Sequence, residues 1–233
     1  MAGAMSARPE GPFHPAESMN LDINCDLGEG ELIELTEALM RHITSANIGS
    51  ENIDACVALA KKYRVHIGAH PRHPVGRGKI RVSPAELETL LLEQVSPFRE
   101  LHHIKLHGAL YHAMDADPAL ARTYVDLVHR QWPDAIIYAR CGGLVEQIAR
   151  QRRVPVWGEV FADRRYGPDG NLVPRSEPNA LITDPQSCVA HARELIARLK
   201  PQTLCVHSDT PGAPAIAEAI RRMAQESRPS SRE

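Results

Sequence analysis

The stretch Asn20-Leu21-Asp22-Ile23-Asn24-Cys25-Asp26-Leu27-Gly28-Glu29-Gly30 decides the fold. Asn20–Cys25 reads as a strand and a helix follows around Glu31–Arg41, so the residues between them make the first strand–helix turn. In an open, doubly wound sheet that turn usually carries a GxGxxG loop, which cradles pyrophosphate. Here it sets two acids, Asp26 and Glu29, where pyrophosphate would sit, and no Walker A sequence occurs in the chain. The turn favours a closed barrel, with the open sheet as the structural alternative.

Outward from this turn, short runs rich in Ile, Val and Leu alternate with longer stretches of helical period. Ile43–Ile48, Val65–Ala69, His103–Leu106, Ala135–Ala139, Val154–Val160 and Thr203–Val206 read as further strands. Between and after them, helices are expected over Asn52–Tyr63, from Ser83 to about Phe98, and over Pro118–Gln131, Leu144–Arg152, Pro185–Leu199 and Ala213–Ala224. The third helix opens on Ser83-Pro84 with Glu86 at the capping-box position. Strict alternation gives parallel strands with helices packed outside, and these units fit a barrel a little short of the usual eight.

A chain of 233 residues suits one such barrel, and 43% hydrophobic residues suffice to fill its core. The net charge of -2 argues against a nucleic-acid groove or a membrane surface. No apolar run approaches the length of a spanning helix, which is roughly 20 residues. Residues 1–18 are rich in Ala, Gly, Pro and Ser and read as a flexible extension without a secretory core. The barrel is expected over 19–225, and the polar tail over 226–233 as frayed. Cys25, Cys56, Cys141, Cys188 and Cys205 are widely spaced without a CxxC, which points to reduced thiols in a cytoplasm.

The strand ends carry the chemistry. Strand one ends at Asn24 and Asp26, strand two at Asn47, strand three at His70, and strand four at His107 with Lys105 just inside. Strand six leads into Glu159 and Asp163-Arg164, and strand seven ends at His207 and Asp209. In parallel α/β folds, ligands bind outside the carboxyl ends of the strands. An Asn, Asp or His at nearly every such end is the pattern of one convergent polar pocket, with an enzyme as the leading class. In Gly68-Ala69-His70-Pro71, the glycine allows close backbone approach and the proline fixes the turn, so the imidazole is aimed out of the strand. Lys105 and His107 fall on one side of their strand, where a buried ammonium needs a carboxylate or a substrate anion. Asp163-Arg164 reads either as a site pair or as an ordinary salt bridge, and Glu29 as a cap of the first helix. His42, His66, His102, His103, His129 and His191 read as surface or packing residues, with His73 and His112 open between loop and site.

Asn24-Cys25-Asp26-Leu27-Gly28-Glu29, Ser45-Ala46-Asn47-Ile48, Gly68-Ala69-His70-Pro71, Lys105-Leu106-His107-Gly108-Ala109-Leu110-Tyr111, Glu159-Val160-Phe161-Ala162-Asp163-Arg164, Leu172-Val173-Pro174-Arg175 and Cys205-Val206-His207-Ser208-Asp209 stand in the order seen in the LamB/YcsF family. The chain resembles that family from about Met19 to Met223. The resemblance implies a distorted (β/α)7 TIM-like barrel, related to the glycoside hydrolase and deacetylase type. The family includes the A component of bacterial 5-oxoprolinase, so the resemblance also implies ATP-coupled opening of the 5-oxoproline lactam to glutamate with partner subunits B and C.

With that reading, Asp26, His70, His107 and Asp163 are the catalytic candidates. Asn24, Asn47, Lys105, Glu159, Arg164, Arg175, His207 and Asp209 are the substrate-binding ones. ATP is expected on a partner, because this chain has no phosphate loop. Two alternatives stay open. One is a metal-assisted hydrolase of a small amide or carbohydrate, using Asp26, His70 and His107 for a divalent ion. The other is a paralogue that binds ligand or partners without catalysis. The chain also departs from the family pattern. Gly49-Ser50-Glu51-Asn52-Ile53 stands where the family continues Ala-Cys-Gly-Phe-His-Ala-Gly-Asp, the loop after His70 is short, and Leu106 and Ser208 replace Pro and Gly.

Overall fold

Strand β1, Asp22–Leu27, alternates polar Asp22, Asn24 and Asp26 with apolar Ile23, Cys25 and Leu27. Side chains of a strand point to opposite faces in turn, so one set fills the barrel and the other meets the helices. The computed structural model describes residues 21–75 and 80–226. The expected extension over 1–18 and the tail after Glu226 lie outside the described residues. The further elements are α1 (Ile33–Met40), β2 (Ser45–Ile48), α2 (Ile53–Tyr63), β3 (His66–Ala69), α3 (Pro84–Val95), β4 (His103–Lys105), α4 (Gly108–Ala116) and α5 (Pro118–Gln131). They continue as β5 (Ile136–Arg140), α6 (Leu144–Gln151), β6 (Val156–Phe161), α7 (Pro185–Leu199), β7 (Thr203–His207) and α8 (Ala213–Glu226).

The sheet is a closed parallel barrel in the order β1 to β7, with β7 pairing back onto β1 through Asp22↔Thr203 to Asp26↔His207. The open-sheet alternative is thereby set aside. Apolar residues on the outer face pack in two clusters. One joins Ile23, Leu27 and Ile48 to α1, α2, α7 and α8; the other joins Ile104 and Ile137 to α3 through α6.

Local chemistry starts the helices. Ser83 accepts from Glu86 N while Glu86 reaches back to Ser83 N, the expected capping box. Asp117 and Asp184 cap α5 and α7, each followed by a proline in the first turn. Four elements depart from expectation. β1 runs on to Leu27 and β7 to His207, because Asp26 is paired on both sides, with Asn47 and with His207. Gly108–Ala116 is a helix absent from the expected elements, seated by buried Leu110, Tyr111 and Met114. Helix α8 continues past Ala224 to Glu226.

The barrel interior is polar, unlike the branched aliphatic layers usual for this architecture. At its base Asp22 accepts hydrogen bonds from Thr44, Ser45 and Thr203 at 2.6, 2.6 and 2.5 Å, and from Tyr138 at 3.1 Å. Above it, Asn24 donates to Thr203 at 2.6 Å and accepts from Asn47 at 2.7 Å. Buried His103 bonds Asn47 Oδ1 at 2.7 Å and stacks on Tyr138. Gly68 is the register partner of His103, and a Cβ at Gly68 would lie 2.1 Å from His103 Nε2. The glycine thus makes room for a ring inside the barrel.

This interior makes two expectations testable. Gly68→Ala should displace the His103 ring and cost about 2–4 kcal/mol, from overpacking and a broken buried hydrogen bond; unaltered urea stability would refute the packing described. Burial, with neighbouring histidines, holds His102 down to about 4 and His103 well below the ordinary range. In the unfolded chain these rings titrate near about 6.5, so there the unfolded state takes up more protons. Stability should fall as the pH drops from about 6.5 toward about 4, and His102→Gln should reduce that slope in urea titrations.

Candidate functional site

Above the polar interior, at the carboxyl ends of the strands, lies a cavity of about 500 Å³. Its lining includes Asp26 of β1 and Glu29 beyond it, Lys105 of β4 with 106–109, Tyr111 and His112 beyond it, Phe161 of β6 and Arg164 beyond it, and His207 of β7 with Ser208 and Asp209. The connection from β6 to α7 adds Leu172 to Arg175, held beside the barrel by the Tyr166↔Leu172 and Arg164↔Leu181 bridges. Among the described residues, nothing between β2 and α3 lines the cavity. The link from β2 to α2 is only the short run 49–52.

The floor is an ion cluster. Lys105, 2% exposed, places Nζ 2.8 Å from Asp26 Oδ1, 2.8 Å from Glu159 Oε1 and 3.2 Å from Asn24 Oδ1. Burial opposes the ammonium charge, but Asp26, Cys205 and Glu159 outweigh it and raise Lys105 well above its ordinary range. Burial also disfavours charge on Asp26, yet His70, Lys105 and His207 hold its carboxyl well below the usual range. Burial pushes the Glu159 carboxyl up even with Lys105 beside it. Asn24, Asn47 and Glu159 are fully buried beneath the cavity and do not line it; their side chains contact Asp26 and Lys105 instead. Lys105 is tied down in the same way. The strand-end pattern points to all four as direct substrate contacts. Period-two patterning tells inside from outside but not depth.

Two imidazoles flank Asp26. His70 Nδ1 lies 2.8 Å from the Lys105 carbonyl, and its Nε2 lies 3.5 Å from Asp26 Oδ2 and 3.6 Å from Glu29 Oε1. Burial pushes His70 down against the pull of Asp26 and Glu29, which favours the neutral ring. His207 Nδ1 bonds Asp163 Oδ1 at 2.9 Å, while its Nε2 stands 3.9 Å from Asp26 Oδ2. Asp163 also accepts from the His207 amide and from Thr210. The partner of Asp163 is therefore His207, not the adjacent Arg164. Asp163 is fully buried and orients His207 from behind.

The sequence allows Glu29 as a cap of the first helix, but α1 has no side-chain cap, and the turn before it is held by Glu31, which accepts from Gly28 N at 2.6 Å and Glu29 N at 2.9 Å. Glu29 Oε1 lies 2.5 Å from His107 Nδ1. Gly28 permits the turn with φ +71, and a Cβ there would meet the Glu51 carbonyl at 2.8 Å. Tyr111, His112 and Phe161 also line the cavity. For Tyr111 and His112 the available signal is the helical spacing within 108–116, the span of the unexpected α4. His73 does not line the cavity.

The cationic side is Arg164 and Arg175. Arg164 donates from Nη2 to the Val173 carbonyl, and His191 Nε2 lies 3.0 Å from the Arg164 carbonyl. Arg164 Nε is buried without a hydrogen-bond partner among the described residues. Arg175 pairs with Asp209 at 2.7 Å. One cavity thus combines carboxylates and imidazoles able to move protons with guanidinium groups able to hold an anion.

Residues 21–232 match the model of the LamB/YcsF family. Among relatives, the 5-oxoprolinase A component of Limosilactobacillus fermentum is 36% identical, over 87% of this chain and 94% of that one. The protein of the same name from Pyrococcus abyssi is 34% identical, over 89% and 95%. The crystal structure of the lactam utilization protein from Thermus thermophilus superposes with a TM-score of 0.76 at 29% identity, covering 88% of this chain and 96% of that one. By its barrel, its strand-end residues and these relatives, the chain belongs to the LamB/YcsF family.

Proposed function

We propose that the chain is the A component of an ATP-dependent 5-oxoprolinase, opening the 5-oxoproline lactam to L-glutamate together with subunits B and C. The relatives that carry the 5-oxoprolinase name support the reaction class. The observation that carries it is Arg164, which borders the cavity with a buried, unpaired Nε beside Arg175. A guanidinium with a free buried donor suits a small carboxylate such as that of 5-oxoproline.

A lactam is a resonance-stabilised amide, so a base alone opens it slowly. Phosphoryl transfer to the carbonyl oxygen would make the carbon a better electrophile, and the nucleotide for it belongs on a partner because this chain has no phosphate loop. The barrel then binds the activated ring and delivers water. His107 lines the cavity and is the base within reach of a water there, with His70 Nε2 behind it at 3.2 Å, and Glu29 beside His107 Nδ1 would stabilise that ring once protonated. Asp26, tied to Lys105, stays ionised and offers a fixed negative charge rather than a proton acceptor. The cytoplasmic setting belongs to the same proposal, supported by five free cysteines. Among the described residues no helix is long and apolar enough to cross a membrane.

The test is glutamate release from 5-oxoproline and ATP, with and without subunits B and C. Release is expected only with the partners present, and Asp26→Asn, His70→Ala and His107→Ala should each lower kcat by about 10²-fold or more. ATP-independent hydrolysis of an amide or carbohydrate would favour a self-sufficient hydrolase. Saturable binding of 5-oxoproline without turnover would make the chain a non-catalytic paralogue. Full activity in all three variants would remove the site.

A further inference from the structure

The side-chain hydrogen bonds beneath Asp26 run in one direction. Lys105 Nζ can only donate, so the Asn24 atom 3.2 Å from it is the carbonyl Oδ1. Asp26, held ionised, can only accept. The Asn47 amide meets Asn24 Oδ1 and Asp26 Oδ1 at 2.7 Å each, so the group facing them is Nδ2, and both its protons are spent. Asn47 Oδ1 is therefore turned the other way, toward His103 Nε2 at 2.7 Å. A carbonyl needs a donor there, which places a proton on His103 Nε2.

Burial, then the neighbouring imidazoles, keep the His103 ring neutral, so its Nδ1 carries a bare lone pair. That lone pair faces His102 Nδ1 at 3.2 Å, which places the proton of His102 on Nδ1. His102 is half-buried just ahead of β4 and stacks on exposed His66, the first residue of β3, with ring centroids 4.0 Å apart. The donors thus point one way, from His102 at the amino ends of the strands through His103 and Asn47 to Asp26. Hydrogen bonds aligned in this manner polarise and strengthen one another. The fold makes room for them at one atom, since the Cβ that Gly68 lacks would lie 2.1 Å from His103 Nε2. Tyr138 stacks on the same ring with centroids 4.0 Å apart.

We infer that His103 is a positioning residue for the cavity. By donating to Asn47 Oδ1 it keeps the Asn47 N–H groups on Asp26 Oδ1. That contact, with Lys105, leaves Asp26 Oδ2 turned toward His70 and His207 at 3.5 and 3.9 Å. Without a donor at position 103 the Asn47 carbonyl is buried and unpaired, and rotation of the amide would set its oxygen against the Asp26 carboxylate. His102 donates to His103 Nδ1 and so holds the proton of His103 at Nε2. His103 does not line the cavity and acts only through Asn47. The sequence gives both imidazoles a packing role, because neither stands at the carboxyl end of a strand. The turnover arm of the test rests on the 5-oxoprolinase reading, and the spectroscopic arm does not.

The test compares His103→Leu, which fills the space without a donor, with His103→Gln, whose amide can donate from the position of Nε2. In the unaltered full chain, labelled with ¹⁵N at histidine, proton–nitrogen correlation spectra at pH 7 should show His103 protonated on Nε2 and His102 on Nδ1. The ring signals of His70 and His207 should move in His103→Leu and return toward their unaltered positions in His103→Gln. In the complex with subunits B and C, His103→Leu should lower kcat for 5-oxoproline about tenfold with KM changed less than about twofold, and His103→Gln should restore kcat to within about threefold. A packing role alone would not separate the two variants in this way. His103 protonated on Nδ1 in the unaltered chain would overturn the inference without any variant. So would unmoved His70 and His207 signals in folded His103→Leu, or equal kcat in the two variants. An unaltered complex without turnover would overturn the 5-oxoprolinase reading instead, and the spectra alone then decide the role of His103.

Discussion

The structure turns on one ammonium inside a barrel. Lys105 is held between Asp26 of β1 and Glu159 of β6, almost without solvent contact. A desolvated cation is tolerated only when carboxylates and further hydrogen bonds compensate it, and β1 and β6 supply both through Asp26, Glu159 and Asn24. The consequences reach the cavity. Because Lys105 and Asn47 occupy one oxygen of Asp26, the other is left to face His70 and His207. Because the Lys105 carbonyl binds His70 Nδ1, the imidazole presents Nε2 to the same point. One residue therefore fixes a charge, a carboxylate orientation and a tautomer.

Much of the barrel is legible in the sequence because its signals are local. Ser83 with Glu86, Pro118 and Pro185 mark helix starts through hydrogen bonds and dihedrals within a few residues. Strand ends are less legible, since they depend on partners far along the chain. Asp26 and His207 look like the residues after two strands until they are seen paired with each other. Depth is hidden for the same reason. Asn24, Asn47 and Glu159 have the right residue types and the right face, yet sit beneath the cavity. Adjacency misleads at Asp163, whose partner is His207, 44 residues away, rather than Arg164. It misleads again at Glu29, which lies next to α1 in sequence yet reaches His107 rather than the helix start.

The family resemblance and the geometry answer different questions. The motifs of the LamB/YcsF family lie along β1, β2, β3, β4, β6 and β7 and in the loop before α7, and the chain keeps them in order. Scaffold and loops vary separately in such barrels, so shared strands do not settle activity. Among the described residues, the cavity draws its lining from β1, β4, β6, β7 and the segments that follow them, and none from the side of β2 and β3.

The most direct measurement is the urea-unfolding free energy of Lys105→Met at pH 7, alone and combined with Asp26→Asn and Glu159→Gln. Removing the ammonium alone leaves two buried carboxylates uncompensated and should cost about 3–5 kcal/mol, while the triple variant, with no buried charge left in the cluster, should regain most of that loss. A Lys105→Met chain within about 0.5 kcal/mol of the unaltered protein would contradict the buried ammonium as the constraint on which the site is built.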